Sequence, residues 1–151
     1  MVAEGQAAPD FELQSDSGET VRLSDLRGKP VVLYFYPRDD TPGCTTQACG
    51  IRDAWSEFEQ RGAVVLGVSP DDERSHAKFK QKYGLPFTLL ADPGHKLTQE
   101  LGFWVEKSFA GKKFMGVERS TVVIDRDGKV RKVFRKVKPV EHAQQVLEEL
   151  G

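Results

Sequence analysis

Val31-Val32-Leu33-Tyr34-Phe35-Tyr36-Pro37-Arg38-Asp39-Asp40-Thr41-Pro42-Gly43-Cys44 is the stretch that decides the fold. Its first six residues form an unbroken apolar and aromatic run, the pattern of a strand buried on both faces of a sheet. Pro37 ends the strand, because proline has no N–H to give a central ladder. Thr41 suits a helix N-cap and Pro42 the first helical position. A buried strand, a tight turn and a helix with Cys44 in its first turn are therefore predicted.

The same reading extends outward. Ala63 to Val68, Phe87 to Leu90 and Thr121 to Ile124 are further apolar runs. Between them lie helical stretches at 41–61, 72–83 and 95–101, so strands alternate with helices as in βαβ units. Ahead of them, Phe11 and Leu13, then Ser15-Asp16-Ser17-Gly18, then Val21 and Leu23 read as a β-hairpin. After them, Asp125-Arg126-Asp127-Gly128 turns into a strand near Val130 to Phe134. Pro139 to Leu150 closes the chain as a helix, with Val140, Ala143, Val146, Leu147 and Leu150 on its apolar face. The expected order is β-hairpin, β-α-β-α-β-α, then β-β-α. That is a three-layer α/β fold with a central mixed sheet, in one domain over 1–151, with no repeat or linker.

Composition narrows the function. The chain has 151 residues, 38% hydrophobic and 30% charged, a globular balance. Its 22 basic and 23 acidic residues leave a formal net charge of −1, which argues against a nucleic-acid or acidic-membrane partner. No apolar run approaches a membrane span. Met1-Val2-Ala3-Glu4-Gly5-Gln6 lacks the basic and apolar regions of a secretory signal, so a cytoplasmic location is expected.

The two cysteines, Cys44 and Cys49, carry the chemistry. So short a loop gains little chain-entropy stabilisation from a disulfide, so in a reducing compartment the pair reads as redox-active rather than structural. Cys44 sits where unsatisfied backbone N–H groups and the positive end of the helix dipole favour a thiolate, the nucleophilic form. In an ideal helix, five residues separate two Cα atoms by roughly 8–9 Å. A disulfide needs less than about 7 Å. Either the pair never bridges, or the helix opens when it does. Cys44 falls on the inward side with Ile51, Ala54, Trp55 and Phe58; Cys49 falls on the polar side with Arg52, Asp53 and Ser56.

Blander readings stand beside this one. Cys44 could be an inert buried cysteine, and Cys49 a surface cysteine of no consequence. Zinc is weakly supported, because His76, His95 and His142 are scattered and look incidental. A thioredoxin-like disulfide exchanger has two residues between its cysteines, where this chain has four. A redox-regulated exchange or sensing module without peroxide turnover stays open. Trp55, Phe58 and Trp104 read as core or pocket wall. The basic residues between Arg126 and Lys138 read as the solvated face of an edge strand.

Pro37-x-x-x-Thr41-x-x-Cys44 resembles the peroxiredoxin signature. Gly43-Cys44-Thr45-Thr46-Gln47-Ala48-Cys49, with Arg52-Asp53 after it, is similar to the bacterioferritin comigratory protein, or peroxiredoxin Q, subfamily. Phe87-Thr88-Leu89-Leu90-Ala91-Asp92, Gly102-Phe103-Trp104, Glu106-Lys107 and Arg119 extend the resemblance over nearly the whole chain. It implies a thioredoxin-like fold with an N-terminal β-hairpin extension. It implies a hydroperoxide substrate, thioredoxin or a similar dithiol protein as reductant, no metal or organic cofactor, and a monomer. Residue by residue, Cys44 would be the peroxidatic cysteine and Cys49 the resolving one. Thr41 would hold the peroxide and Cys44 by hydrogen bonds, beside the helix capping its own position suggests; Pro37 would shield the pocket, and Arg119 would stabilise the thiolate and the peroxide oxygens. Arg38-Asp39-Asp40 is more charged than in many relatives, which leaves the preferred peroxide open.

Overall fold

The computed structural model describes residues 2–150. Strand β3 (Val31–Phe35) is buried at every residue and lies inside a seven-stranded sheet. Its neighbour on one side is β4 (Val64–Ser69), parallel to it, followed by parallel β5 (Thr88–Ala91). On the other side, β8 (Ser120–Ile124) and then β9 (Val130–Phe134) continue the sheet in antiparallel fashion. The hairpin of β1 (Glu12–Ser15) and β2 (Thr20–Arg22) joins the β5 edge through antiparallel β1. The sheet is therefore mixed, with the expected N-terminal hairpin extending it, and the fold is thioredoxin-like.

Strand alternation sends successive side chains to opposite faces. Val31, Leu33 and Phe35 pack with Leu66, Val68, Val122, Leu97, Leu101 and Phe103 on one face. Helix α4 (Lys96–Glu100) lies on this side. Val32, Tyr34 and Tyr36 pack on the other face with Cys44, Ala48, Ile51, Phe58, Phe79, Val146 and Leu147. Those residues come from α1 (Pro42–Asp53), α2 (Trp55–Gln60), α3 (Glu73–Tyr83) and α5 (His142–Leu150). These are the three layers the sequence implied. No helix among the described residues is long and apolar enough to cross a membrane.

Three expectations need correction. The helix expected over 41–61 breaks at Ala54, whose ψ of 15° ends α1 and opens α2. The bend keeps Phe58 in the core while Trp55 packs on Phe87, with ring centroids 6.0 Å apart. The closing helix begins at His142 rather than Pro139. Val140, expected on its buried face, lies ahead of it and is 81% exposed. Lastly, β6 (Trp104–Phe109) and β7 (Lys112–Val117) form a separate hairpin that the apolar pattern did not reveal. Most of its residues are solvated, so only its turn marks it: Ala110 and Gly111 both take positive φ in a two-residue loop.

Gly67, in the middle of β4, is held to glycine by its neighbours. A Cβ there would lie 2.8 Å from Tyr34 Cζ and 2.9 Å from Leu89 Cδ2, both rigidly packed in the core. Gly67→Ala is expected to destabilise the fold by about 1–3 kcal/mol through overpacking, measured by urea unfolding.

Candidate active site

Strand β3 runs into Tyr36, and the loop Pro37 to Thr41 then turns the chain into α1. Two aspartates pin this loop to α3. Asp39 accepts from Tyr36 Oη at 2.6 Å and Ser75 Oγ at 2.7 Å, and pairs with His76 Nδ1 at 2.7 Å. Asp40, at φ 55°, accepts from Lys82 Nζ at 2.7 Å and Tyr83 Oη at 2.6 Å. The charged triplet 38–40 is therefore in large part a set of anchors. His76 is completed by a 2.9 Å bond to the Leu90 carbonyl.

Thr41 takes the N-cap position in its backbone, with φ −100° and ψ 155°. Its side chain does not cap the helix, contrary to expectation. The hydroxyl instead donates to the Arg38 carbonyl at 2.9 Å, which spends its proton on closing the loop and leaves its oxygen as an acceptor. Pro42 and Gly43 follow, and Cys44 is the third helical residue, 2% exposed. The first bond into the helix runs from the Thr45 N–H to the Thr41 carbonyl at 2.8 Å. The Gly43 and Cys44 N–H groups precede it and have no intrahelical acceptor.

Arg119 lies between β7 and β8, where the Val137 N–H donates to its carbonyl at 2.9 Å. Its Nη1 is 3.5 Å from the Cys44 sulfur and 2.6 Å from Gln47 Oε1. A Cβ on Gly43 would come 3.1 Å from Arg119 Nη2, so the guanidinium crosses the start of α1 where a side chain is missing. Pro37 is half-buried beside this loop. Cys49 is half-buried in the same unbroken helix, and both cysteines are free thiols. Pro37, Thr41 and Cys44 thus sit on one strand–loop–helix junction, Arg119 reaches the Cys44 sulfur, and Cys49 stands apart.

Two site residues escaped the sequence reading. Gln47 and His142 are both fully buried, in α1 and at the start of α5. Gln47 Nε2 lies 3.2 Å from His142 Nδ1, and His142 Nε2 lies 2.7 Å from Thr121 Oγ1. His142 and His76 are therefore not incidental. A histidine that looks isolated in sequence gave no signal, because its partners come from elements up to 95 residues away.

The AhpC/TSA family model matches residues 4–133. Peroxiredoxin Bcp of Bacillus subtilis is 53% identical over 146 residues, covering 97% of this chain and 93% of that protein. Peroxiredoxin Bcp of Escherichia coli K12 is 45% identical over 143 residues, covering 95% and 92%. A structure of Xanthomonas campestris bacterioferritin comigratory protein, described for its alkyl peroxide reduction activity, superposes with a TM-score of 0.88 at 38% identity, covering 93% and 89% of the two chains. A cysteine-to-serine mutant of Xylella fastidiosa PrxQ gives a TM-score of 0.94 at 33% identity, covering 99% and 96%.

Burial, reinforced by the charge of Arg119, pushes His142 down from 6.5 to about 3. Burial and, secondarily, the charge of Arg119 also lower Lys107, on β6. The His142 shift has a definite sign. As pH falls, the unfolded chain takes up this proton first, so the contribution is whole above about 6.5 and is lost toward 3. Unfolding free energy is expected to fall over that window with a contribution from this ring of up to about 1.4 kcal/mol per pH unit. His142→Asn should remove that contribution in urea titrations run side by side, leaving a shallower slope.

Proposed function

The chain belongs to the AhpC/TSA family, among its Bcp and peroxiredoxin Q peroxiredoxins, and on that premise we propose how its residues share the work of a thiol-dependent peroxidase. Cys44 is the nucleophile. The observation that carries this is the Arg119 Nη1 to Cys44 Sγ contact of 3.5 Å at the start of α1. A guanidinium is a permanent cation, and with the free helix N–H groups it stabilises an anionic sulfur that is otherwise buried.

The thiolate attacks the terminal oxygen of a hydroperoxide. The sulfur–oxygen bond forms as the oxygen–oxygen bond breaks, leaving a sulfenic acid at Cys44, while the departing alkoxide or hydroxide takes a proton from solvent. Negative charge moves from sulfur to the leaving oxygen during this step. Arg119 can follow it with a second N–H, because its fork presents several donors. Thr41 Oγ1, with its own proton on the Arg38 carbonyl, accepts from the peroxide O–H. Pro37 keeps water from that face. Both hydrogen peroxide and organic hydroperoxides suit a reaction that needs only the O–O–H group.

Cys49 then attacks the sulfenic sulfur, a disulfide forms and water leaves. Both cysteines lie within α1, whose ideal geometry holds them roughly 8–9 Å apart at Cα. That exceeds the about 7 Å a disulfide tolerates, so this step requires α1 to unwind locally. Thioredoxin or a similar dithiol protein restores both thiols by exchange. A resolving cysteine in the same chain calls for no partner subunit, which supports a monomer. A pair that works through its thiol state suits the reducing cytoplasm.

Cys44→Ser is expected to abolish hydroperoxide consumption. Cys49→Ser should react once and accumulate a dimedone-trappable sulfenic acid without turning over on thioredoxin and NADPH. Normal turnover by Cys44→Ser would refute the assignment. Oxidation with one equivalent of peroxide is also expected to speed amide exchange across residues 42–50 while leaving β3 protected; unchanged exchange would rule out the opening of α1.

A further inference from the structure

Arg119 does not stand alone over the cysteine. Hydrogen-bond polarity can be followed from it into the core. A guanidinium nitrogen only donates, so the Gln47 atom 2.6 Å from Arg119 Nη1 must be the amide oxygen. The Gln47 NH2 group then faces His142 Nδ1 at 3.2 Å, and it too only donates. Nδ1 must therefore be the unprotonated, accepting nitrogen. The ring proton sits on Nε2 and is given to Thr121 Oγ1 at 2.7 Å. One direction runs through the whole chain: Arg119 to Gln47, Gln47 to His142, His142 to Thr121.

A glutamine amide is nearly the same shape either way round, so packing alone does not choose its orientation. Turned over, its NH2 would meet the guanidinium and its oxygen would meet Nδ1, two mismatches in a site where Gln47 and His142 have no exposure. The acceptor on His142 holds the amide the other way. We infer that His142 is a positioning residue for peroxide reduction: as a neutral ring accepting through Nδ1, it fixes the Gln47 amide so that its oxygen clamps Arg119 against the Cys44 sulfur. Four parts of the fold are joined by this chain: the β7–β8 connection through Arg119, α1 through Gln47, α5 through His142 and β8 through Thr121. The charged or titratable groups facing the ring are Arg119 and Tyr34, whose ring centroid is 5.5 Å away. Arg119 has no acceptor to offer Gln47, and the Tyr34 hydroxyl makes no hydrogen bond to it.

This inference rests on Cys44 being the attacking sulfur, and it is tested separately. The full chain is prepared as His142→Phe, His142→Asn, Gln47→Leu and the double variant His142→Phe with Gln47→Leu. Each is read in three ways: the rate constant of Cys44 oxidation by hydrogen peroxide, the pH profile of Cys44 alkylation by iodoacetamide, and urea unfolding. His142→Phe removes the acceptor and should slow oxidation about tenfold, with the alkylation profile moved about one unit to higher pH. His142→Asn can put its amide oxygen near the place of Nδ1 and should stay within about threefold of the parent, even though Thr121 loses its donor. The double variant should be no slower than Gln47→Leu alone, because the two residues act through one contact.

Equal slowing by Phe and Asn would overturn the inference, as would an unchanged alkylation profile in His142→Phe, or additive losses in the double variant. Loss of folded protein in His142→Phe leaves the decision to the other two: Gln47→Leu reacting at the parental rate with a parental alkylation profile would overturn it equally. Peroxide consumption by Cys44→Ser would be a different failure, that of the nucleophile itself.

Discussion

An anion in a dry protein interior is costly unless a countercharge and hydrogen-bond donors are built in beside it. That constraint organises this molecule. Cys44 is almost wholly buried, yet the attack proposed for it needs a negative sulfur. The donors come from the start of α1, which is why the helix begins two residues before the cysteine and why a proline and a glycine fill those positions. The countercharge comes from Arg119, which is 75 residues away in sequence. Only a sheet that sets β8 beside β3 brings the two together.

The loop ahead of the cysteine answers a related need. Positioning a helix N-terminus to within a fraction of an ångström requires a rigid approach. Asp39 and Asp40 provide it by tying the loop to α3 through Ser75, His76, Lys82 and Tyr83, with Tyr36 also donating to Asp39. The active-site turn is thus held from the α3 side, while its reactive end is held from the Arg119 side.

The parts legible in sequence were those written in local chemistry. The apolar run 31–36, the proline that stops it and the Thr-Pro-Gly helix start are encoded within fourteen consecutive residues, and the structure has that strand, loop and helix. What escaped was encoded across distance or in weak patterns. Gln47 and His142 are ordinary polar residues until the fold buries them against each other. The β6–β7 hairpin lies largely in solvent, so hydrophobic period had little to report, and only the Ala110-Gly111 turn could have marked it. Thr41 stands at the N-cap position expected of it, but its hydroxyl, expected to cap the helix, is taken by the carbonyl of Arg38 three residues upstream.

The unbroken helix that carries both cysteines has a consequence for timing. In the proposed cycle, a sulfenic acid formed at Cys44 waits for α1 to open before Cys49 can arrive. Its lifetime then depends on a conformational step as well as on thiol reactivity. During that wait a second peroxide molecule can carry the sulfur on to the sulfinic acid, which this cycle does not reverse. The peroxide concentration at which the enzyme inactivates itself therefore becomes a property of helix stability. Substitutions on α1 that never touch substrate would tune it, trading rapid recovery against tolerance of oxidant bursts.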